Sequence, residues 1–229
     1  MIDYTVVRSE RKTTALYVRD GKVEVRAPLK LPDSSIERFV RSKENWIRDK
    51  LAITNERAAQ RDSFLLDYGS SIYYRGKPYP IAAKDGNRVG FDGERFYMPP
   101  DLTPEQIKEA SIQIYRMLAK RDLTNRTFEL MQKMPEGPSS EGPSSIKITG
   151  AKTRWASCSG KKSISFSWRI IMADDDVIDY IIVHELAHLS EMNHSAQFWN
   201  IVEGVLPDHS ARRERLKELQ HRLDSENWG

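Results

Sequence analysis

The segment from Asp174 to His194 constrains the fold more than any other part of the sequence. Asp174, Asp175 and Asp176 precede Val177, Ile178, Ile181, Ile182, Leu186 and Leu189. Carboxylates suit the positive end of a helix dipole, and Asp174 is placed to cap one. Apolar residues on most faces predict a helix that is largely buried. Into this apolar run the chain sets His184, Glu185 and His188. Polar groups left unpartnered in such surroundings are costly. The fold must therefore wrap the helix in other elements and still give these three side chains something to bind.

The three form His184-Glu185-Leu186-Ala187-His188, an HExxH pattern. Positions i and i+4 lie on one helical face, so both imidazoles can grip a single ion. Glu185 beside them can reach a water instead of the metal and act as general base. The chemistry indicated is hydrolysis with one Zn2+ per chain. A catalytic zinc site needs a third protein ligand. His194, six residues past His188, is the preferred candidate. A continuing helix would turn it away, so the helix must stop between Leu189 and Asn193. Asn193 is a residue type that accepts the left-handed conformation that ends helices. Glu203, Asp208 and His209 are the rival ligands. The short link to His194 loses less conformational freedom on forming the site.

The rest of the chain predicts an α+β protein. Ala15 to Arg19 and Lys22 to Arg26 alternate in polarity around Asp20-Gly21, the pattern of a tight hairpin. Ser34 and Glu37 form a capping-box pair before a helix over 35 to about 60. Residues 70 to 98 read as short antiparallel strands with turns at Arg75-Gly76, Asp85-Gly86 and Asp92-Gly93. Thr103, Pro104 and Gln106 open a helix reaching to about Met134. Residues 136 to 145 repeat Glu-Gly-Pro-Ser-Ser in tandem, and 135 to 145 reads as a flexible loop. Residues 146 to 172 suggest two strands, with Ser163, Ser165 and Ser167 alternating with Ile164, Phe166 and Trp168. Ser195 and Asp208 are placed to cap two final helices. The expected organisation is a β-rich module with one helix over 1–100 and a catalytic domain over 101–229.

Composition narrows the function classes. A net charge of +3 is mild for a dedicated nucleic-acid binder, and any role on nucleic acid stays open. No apolar run has the length of a membrane span. The single cysteine, Cys158, allows no internal disulfide, and Met1-Ile2-Asp3-Tyr4 does not open a signal peptide; both favour a cytoplasmic location. Cys158 reads as a small packing residue, because the metal triad is complete without it.

Several segments together resemble the YgjP-like metal-dependent hydrolases, a group similar to the SprT-type zinc proteases. They are Lys152-Thr153-Arg154-Trp155-Ala156-Ser157-Cys158, Ser167-Trp168-Arg169, Val177 through Leu189, and Asn193-His194-Ser195 with Phe198-Trp199. The resemblance spans roughly residues 15 to 225. It implies a zincin-like metallopeptidase domain with His184, His188 and His194 as ligands. By the same resemblance, residues 163 to 169 bind an extended peptide by strand addition, with Ser165 and Ser167 at the substrate. Arg154 and Trp155 either contact substrate or brace the active-site helix, with packing favoured for Trp155. Ala156 stands where the family usually has Gly.

A peptide or protein is the expected substrate. A second possibility keeps the metal and cleaves a phosphoanhydride in a nucleoside triphosphate, where Lys and Arg stabilise phosphoryl charge. A third is a non-catalytic zinc module that docks on DNA or protein. Glu185 speaks against the third, since a structural site needs no base and is usually closed by four ligands.

Overall fold

The computed structural model describes residues 2–19 and 21–228. It is an α+β protein with seven α-helices and three small sheets among the described residues. Contacts separate two compact units. One gathers the chain up to Phe64 with residues 223–227, and the other holds residues 65–222 with Trp228. The strands over 71–98, grouped by sequence with the first 100 residues, thus cluster with the HExxH helix instead.

In the first unit, strands β1 (Thr5–Ser9), β2 (Ala15–Arg19) and β3 (Lys22–Pro28) form a sheet ordered β1-β3-β2. β2 and β3 pair antiparallel with Arg19 opposite Lys22, as the alternation of polarity anticipates. Of the turn pair, Asp20 lies outside the described residues. The helix expected over 35–60 is two helices, α1 (Asp33–Ser42) and α2 (Glu44–Ser63). Lys43 breaks them apart at φ −111° and ψ 13°. The break lets Ile36, Val40 and Ile47 all join Val23, Val25 and Ala27 in one apolar core. The Ser34–Glu37 capping box does not form, because the helix starts earlier, after Pro32, with no side-chain cap.

The second unit is built around the apolar helix. Strands β4 (Ser71–Tyr74), β5 (Lys77–Ala83), β6 (Gly90–Phe91) and β7 (Phe96–Met98) form a sheet ordered β4-β5-β7-β6. Its first hairpin turns at Arg75 and Gly76, with φ of 49° and 76°, the two left-handed residues of a type I′ turn. Helix α3 (Pro104–Met131) starts with the expected capping box: Gln106 N–H donates to Thr103 Oγ1 at 3.3 Å, and Thr103 N–H to Gln106 Oε1 at 2.9 Å.

The tandem repeat adopts two structures. Its first copy holds most of a helical turn, α4 (Pro138–Glu141), in which Ser139 is fully buried and bonds Ser190 Oγ at 2.6 Å. Its second copy ends in strand β8 (Ser145–Thr149). In place of a flexible loop, the segment is tied down by polar contacts that composition does not reveal.

The region after it has three strands where two were expected. β8, β9 (Ala156–Cys158) and β10 (Ser163–Ser167) form a sheet ordered β8-β10-β9. A 3-10 turn at Trp168–Met172 leads into α5 (Asp175–Ala187), followed by α6 (Ala196–Val205) and α7 (His209–Leu223). Among the described residues, no helix is long and apolar enough to cross a membrane.

Candidate metal centre

Helix α5 is held at both ends and along one side. Asp174 caps it, accepting from Val177 N–H at 3.1 Å. The β4–β5 turn grips its first residues: the Arg75 guanidinium donates to both oxygens of Asp175 at 2.6 and 2.8 Å. From α3, Arg126 makes the same two-pronged contact with Asp179 at 2.6 and 2.7 Å. Ten of its thirteen residues are buried, among them Glu185. These contacts fix where the HExxH face points.

The helix ends at Ala187, two residues before Leu189 and so ahead of the expected stop between Leu189 and Asn193. Glu191 N–H closes the end on Ala187 O at 2.9 Å. Asn193 is not left-handed; among the described residues only Arg75, Asp101 and Lys162 are, glycines apart. The return is made by a tight bend in which Ser195 N–H donates to Asn193 O at 2.8 Å. Ser195 then caps α6 by accepting from Phe198 N–H at 3.3 Å.

This bend brings His194 to the helix. Ligand atoms of His184, His188 and His194 lie within 4.8 Å of one another. Glu203, Asp208 and His209 do not join the cluster. His209 instead stacks on Trp199, with ring centroids 5.4 Å apart. Phe198, fully buried, packs against all three imidazoles at 4.8, 4.5 and 4.7 Å. In the sequence Phe198 carries only part of the family resemblance; its place against the triad comes from the fold.

The three imidazoles suit a metal. His188 Nδ1 lies 2.9 Å from Glu191 O, so Nδ1–H donates there and Nε2 is left to bind an ion. The Nε2 atoms of His184 and His194 are 3.1 Å apart. Two nitrogens at Zn–N distances on a tetrahedron stand about 3.3 Å apart. Burial lowers the His184 pKa to about 3, with help from His188, His194 and Arg213, and burial also lowers that of His188. Neutral imidazoles are the form that binds metal.

Glu185 faces β9 from α5. Burial pushes its pKa up to about 7, against the backbone N–H of Cys158, which favours the carboxylate. Its Oε2 is buried with no hydrogen-bond partner among the described residues. A positive ion at the triad would stabilise the ionised form. Cys158 is close enough that Glu185, after burial, raises the thiol, to about 11. A neutral thiol fits its reading as a packing residue and not a nucleophile.

The substrate strand expected at 163–169 needs correction. β10 is the middle strand, paired in parallel with β8 and antiparallel with β9, so neither edge can take a peptide. Ser167 is buried, and its hydroxyl donates to Ala151 O at 2.8 Å. Ser165 is half-buried within the same doubly paired strand. The free edge nearest the helix is β9. Trp155 O and Ser159 N–H bond β10 at 2.7 and 3.0 Å, so the alternate residues Ala156 and Cys158 turn their main-chain groups outward. The Ala156 methyl shares a sheet face with its partner Phe166, which is fully buried. The extra carbon therefore sits on the packing face and not at the strand edge. Arg154 is exposed just before β9.

The fold and this cluster define a protein of the metallopeptidase class. A family model described as YgjP-like, metallopeptidase domain, matches residues 12–219, and the chain belongs to that family. A solved structure, the metallopeptidase zymogen abylysin of Pyrococcus abyssi, is 27% identical over 45% of this chain and 90% of that one, with a TM-score of 0.32. Comparison with curated proteins found no match.

Proposed function

We propose that the chain is a zinc peptidase in which His184, His188 and His194 hold the metal and Glu185 is the general base. The observation that carries this is the convergence of three imidazoles beside a buried carboxylate oxygen with no hydrogen-bond partner among the described residues. Zinc bound there supplies Lewis acidity, which polarises a carbonyl and acidifies water. Glu185 Oε2 accepts the proton of the attacking water and passes it to the leaving amine. Phe198 and the Glu191 carbonyl hold the imidazoles in place. The peptide adds to the outer edge of β9, where the Ala156 N–H and C=O and the Cys158 C=O are turned outward. That edge runs beside Glu185, whose carboxylate meets the Cys158 N–H. Arg154, exposed at the start of the edge, is placed to meet the same chain.

Two measurements test this. Zinc analysis of His194→Ala should show lost or much weakened binding; full occupancy at unchanged affinity would remove His194 from the ligand set. The zinc-loaded protein should hydrolyse an unfolded protein and not nucleoside triphosphates. Release of phosphate without peptide cleavage would replace a peptidase by a phosphoanhydride hydrolase.

A further inference from the structure

Helix α7 carries Arg212, Arg213 and Arg215, and their surroundings differ. Arg212 donates to the Asp176 carbonyl at 3.1 Å and to Asp208 at 2.8 Å. Arg215 donates to Asp174 at 3.2 Å and to Asp176 at 2.8 Å. Both tie α7 to the start of α5. Arg213 is exposed and enters no hydrogen bond or ion pair among the described residues.

Helix geometry puts Arg213 on the side of α7 that reaches toward the triad. Arg213 follows His209 by four residues, so the two share a face one turn apart. His209 stacks on Trp199, and Trp199 lies 6.0 Å from His184 and 5.9 Å from His194. The charge of Arg213 acts on both His184 and Tyr180, whose rings are 6.0 Å apart. Glu214, next to Arg213 on α7, feels its charge and is itself bonded to Lys217 at 2.7 Å. A divalent ion on the triad adds to the positive field.

The geometry points to Arg213 as a specificity-determining residue that binds a carboxylate of the substrate beside the scissile bond. A guanidinium presents a planar fork of donors that matches a carboxylate, and this one has no hydrogen-bond acceptor among the described residues. Its neighbours on α7 anchor the helix, so the fork is held at the rim by a fixed element. The carboxylate is either the C-terminus of the peptide or an Asp or Glu side chain near the cleaved bond. This inference rests on the peptidase reading of the site.

The test uses fluorescence-quenched octapeptides with Glu or Gln at each position in turn, each made with a C-terminal carboxylate or carboxamide. Wild type should prefer the carboxylate form at one position, in kcat/KM and chiefly through KM, by about ten- to hundredfold. The same ratio should appear in equilibrium binding to Glu185→Gln, measured by fluorescence anisotropy. Arg213→Ala should bring both ratios to within about threefold of unity, Arg213→Lys should restore part, and Arg213→Glu should invert them. A preference confined to the terminal carboxylate identifies the C-terminus as the source, and one confined to Glu against Gln identifies a side chain. Ratios unchanged in Arg213→Ala, with melting temperature and zinc content intact, or no preference in wild type, would overturn the assignment. If no peptide is cleaved, the peptidase reading fails, and the binding ratios still decide the role of Arg213.

Discussion

Gly76→Ala tests how the first hairpin of the larger unit seats the HExxH helix. Gly76 sits at φ +76°, and a Cβ there would lie 2.7 Å from Asp174 Cβ and 3.0 Å from Asp174 Cα. Asp174 is the cap of α5, and its neighbour Asp175 takes both donors of Arg75. Two costs follow. The left-handed backbone costs an L-residue about 1–2 kcal/mol. Contact with a backbone that cannot swing aside costs about 1–3 kcal/mol more. The sum, about 2–5 kcal/mol, lowers the melting temperature by roughly 4–20 °C for a chain of this size. Gly69→Ala is the control, because Gly69 has φ +87° and nothing within 4 Å of its added Cβ. It should cost only the backbone term, about 1–2 kcal/mol. Scanning calorimetry of both variants, compared on the same transition, isolates the clash. Equal shifts in the two variants would refute the claim that the turn is packed against the helix cap.

Other perturbations probe the surroundings of the helix. Deleting one five-residue copy of the tandem repeat leaves a single copy to form the buried Ser139 turn and to enter β8. It cannot do both, so stability should fall by about 1–3 kcal/mol in thermal or urea unfolding; an unchanged midpoint would show that the Ser139–Ser190 contact contributes nothing. Arg126→Ala leaves Asp179, whose side chain is only 10% exposed, with Arg212 at 3.9 Å as its nearest cation. Urea unfolding should show a loss of about 2–4 kcal/mol, while Arg126→Lys should retain part of it.

The candidate site was legible in the sequence because HExxH is local. Five consecutive residues on a helix fix their own relative placement, and the bend to His194 is only six residues long. Caps written in short range were legible too: Thr103 with Gln106, Asp174 with Val177, and Ser195 with Phe198. Most of what failed depends on partners far along the chain. Ser34 has the right spacing for a cap, but Pro32 starts the helix first. The alternation in 163–167 identifies a strand and says nothing of its neighbours, so β10 was taken for an edge when β9 is one. Ser139 looks like linker because its partner, Ser190, is 51 residues away. Arg213 carries no motif. Its significance comes from the hydrogen-bonded acids that hold Arg212 and Arg215 and from the absence, among the described residues, of such a bond at Arg213.

The central claim is that Glu185 acts on water and not on the metal. The most direct measurement is zinc content and peptide hydrolysis of Glu185→Gln, side by side with wild type. Gln keeps the shape of Glu and a polar contact but cannot accept the proton. Glu185→Gln should hold about one zinc per chain at unchanged affinity, with hydrolysis reduced at least about a hundredfold. Hydrolysis equal to wild type, or zinc lost together with activity, would contradict it.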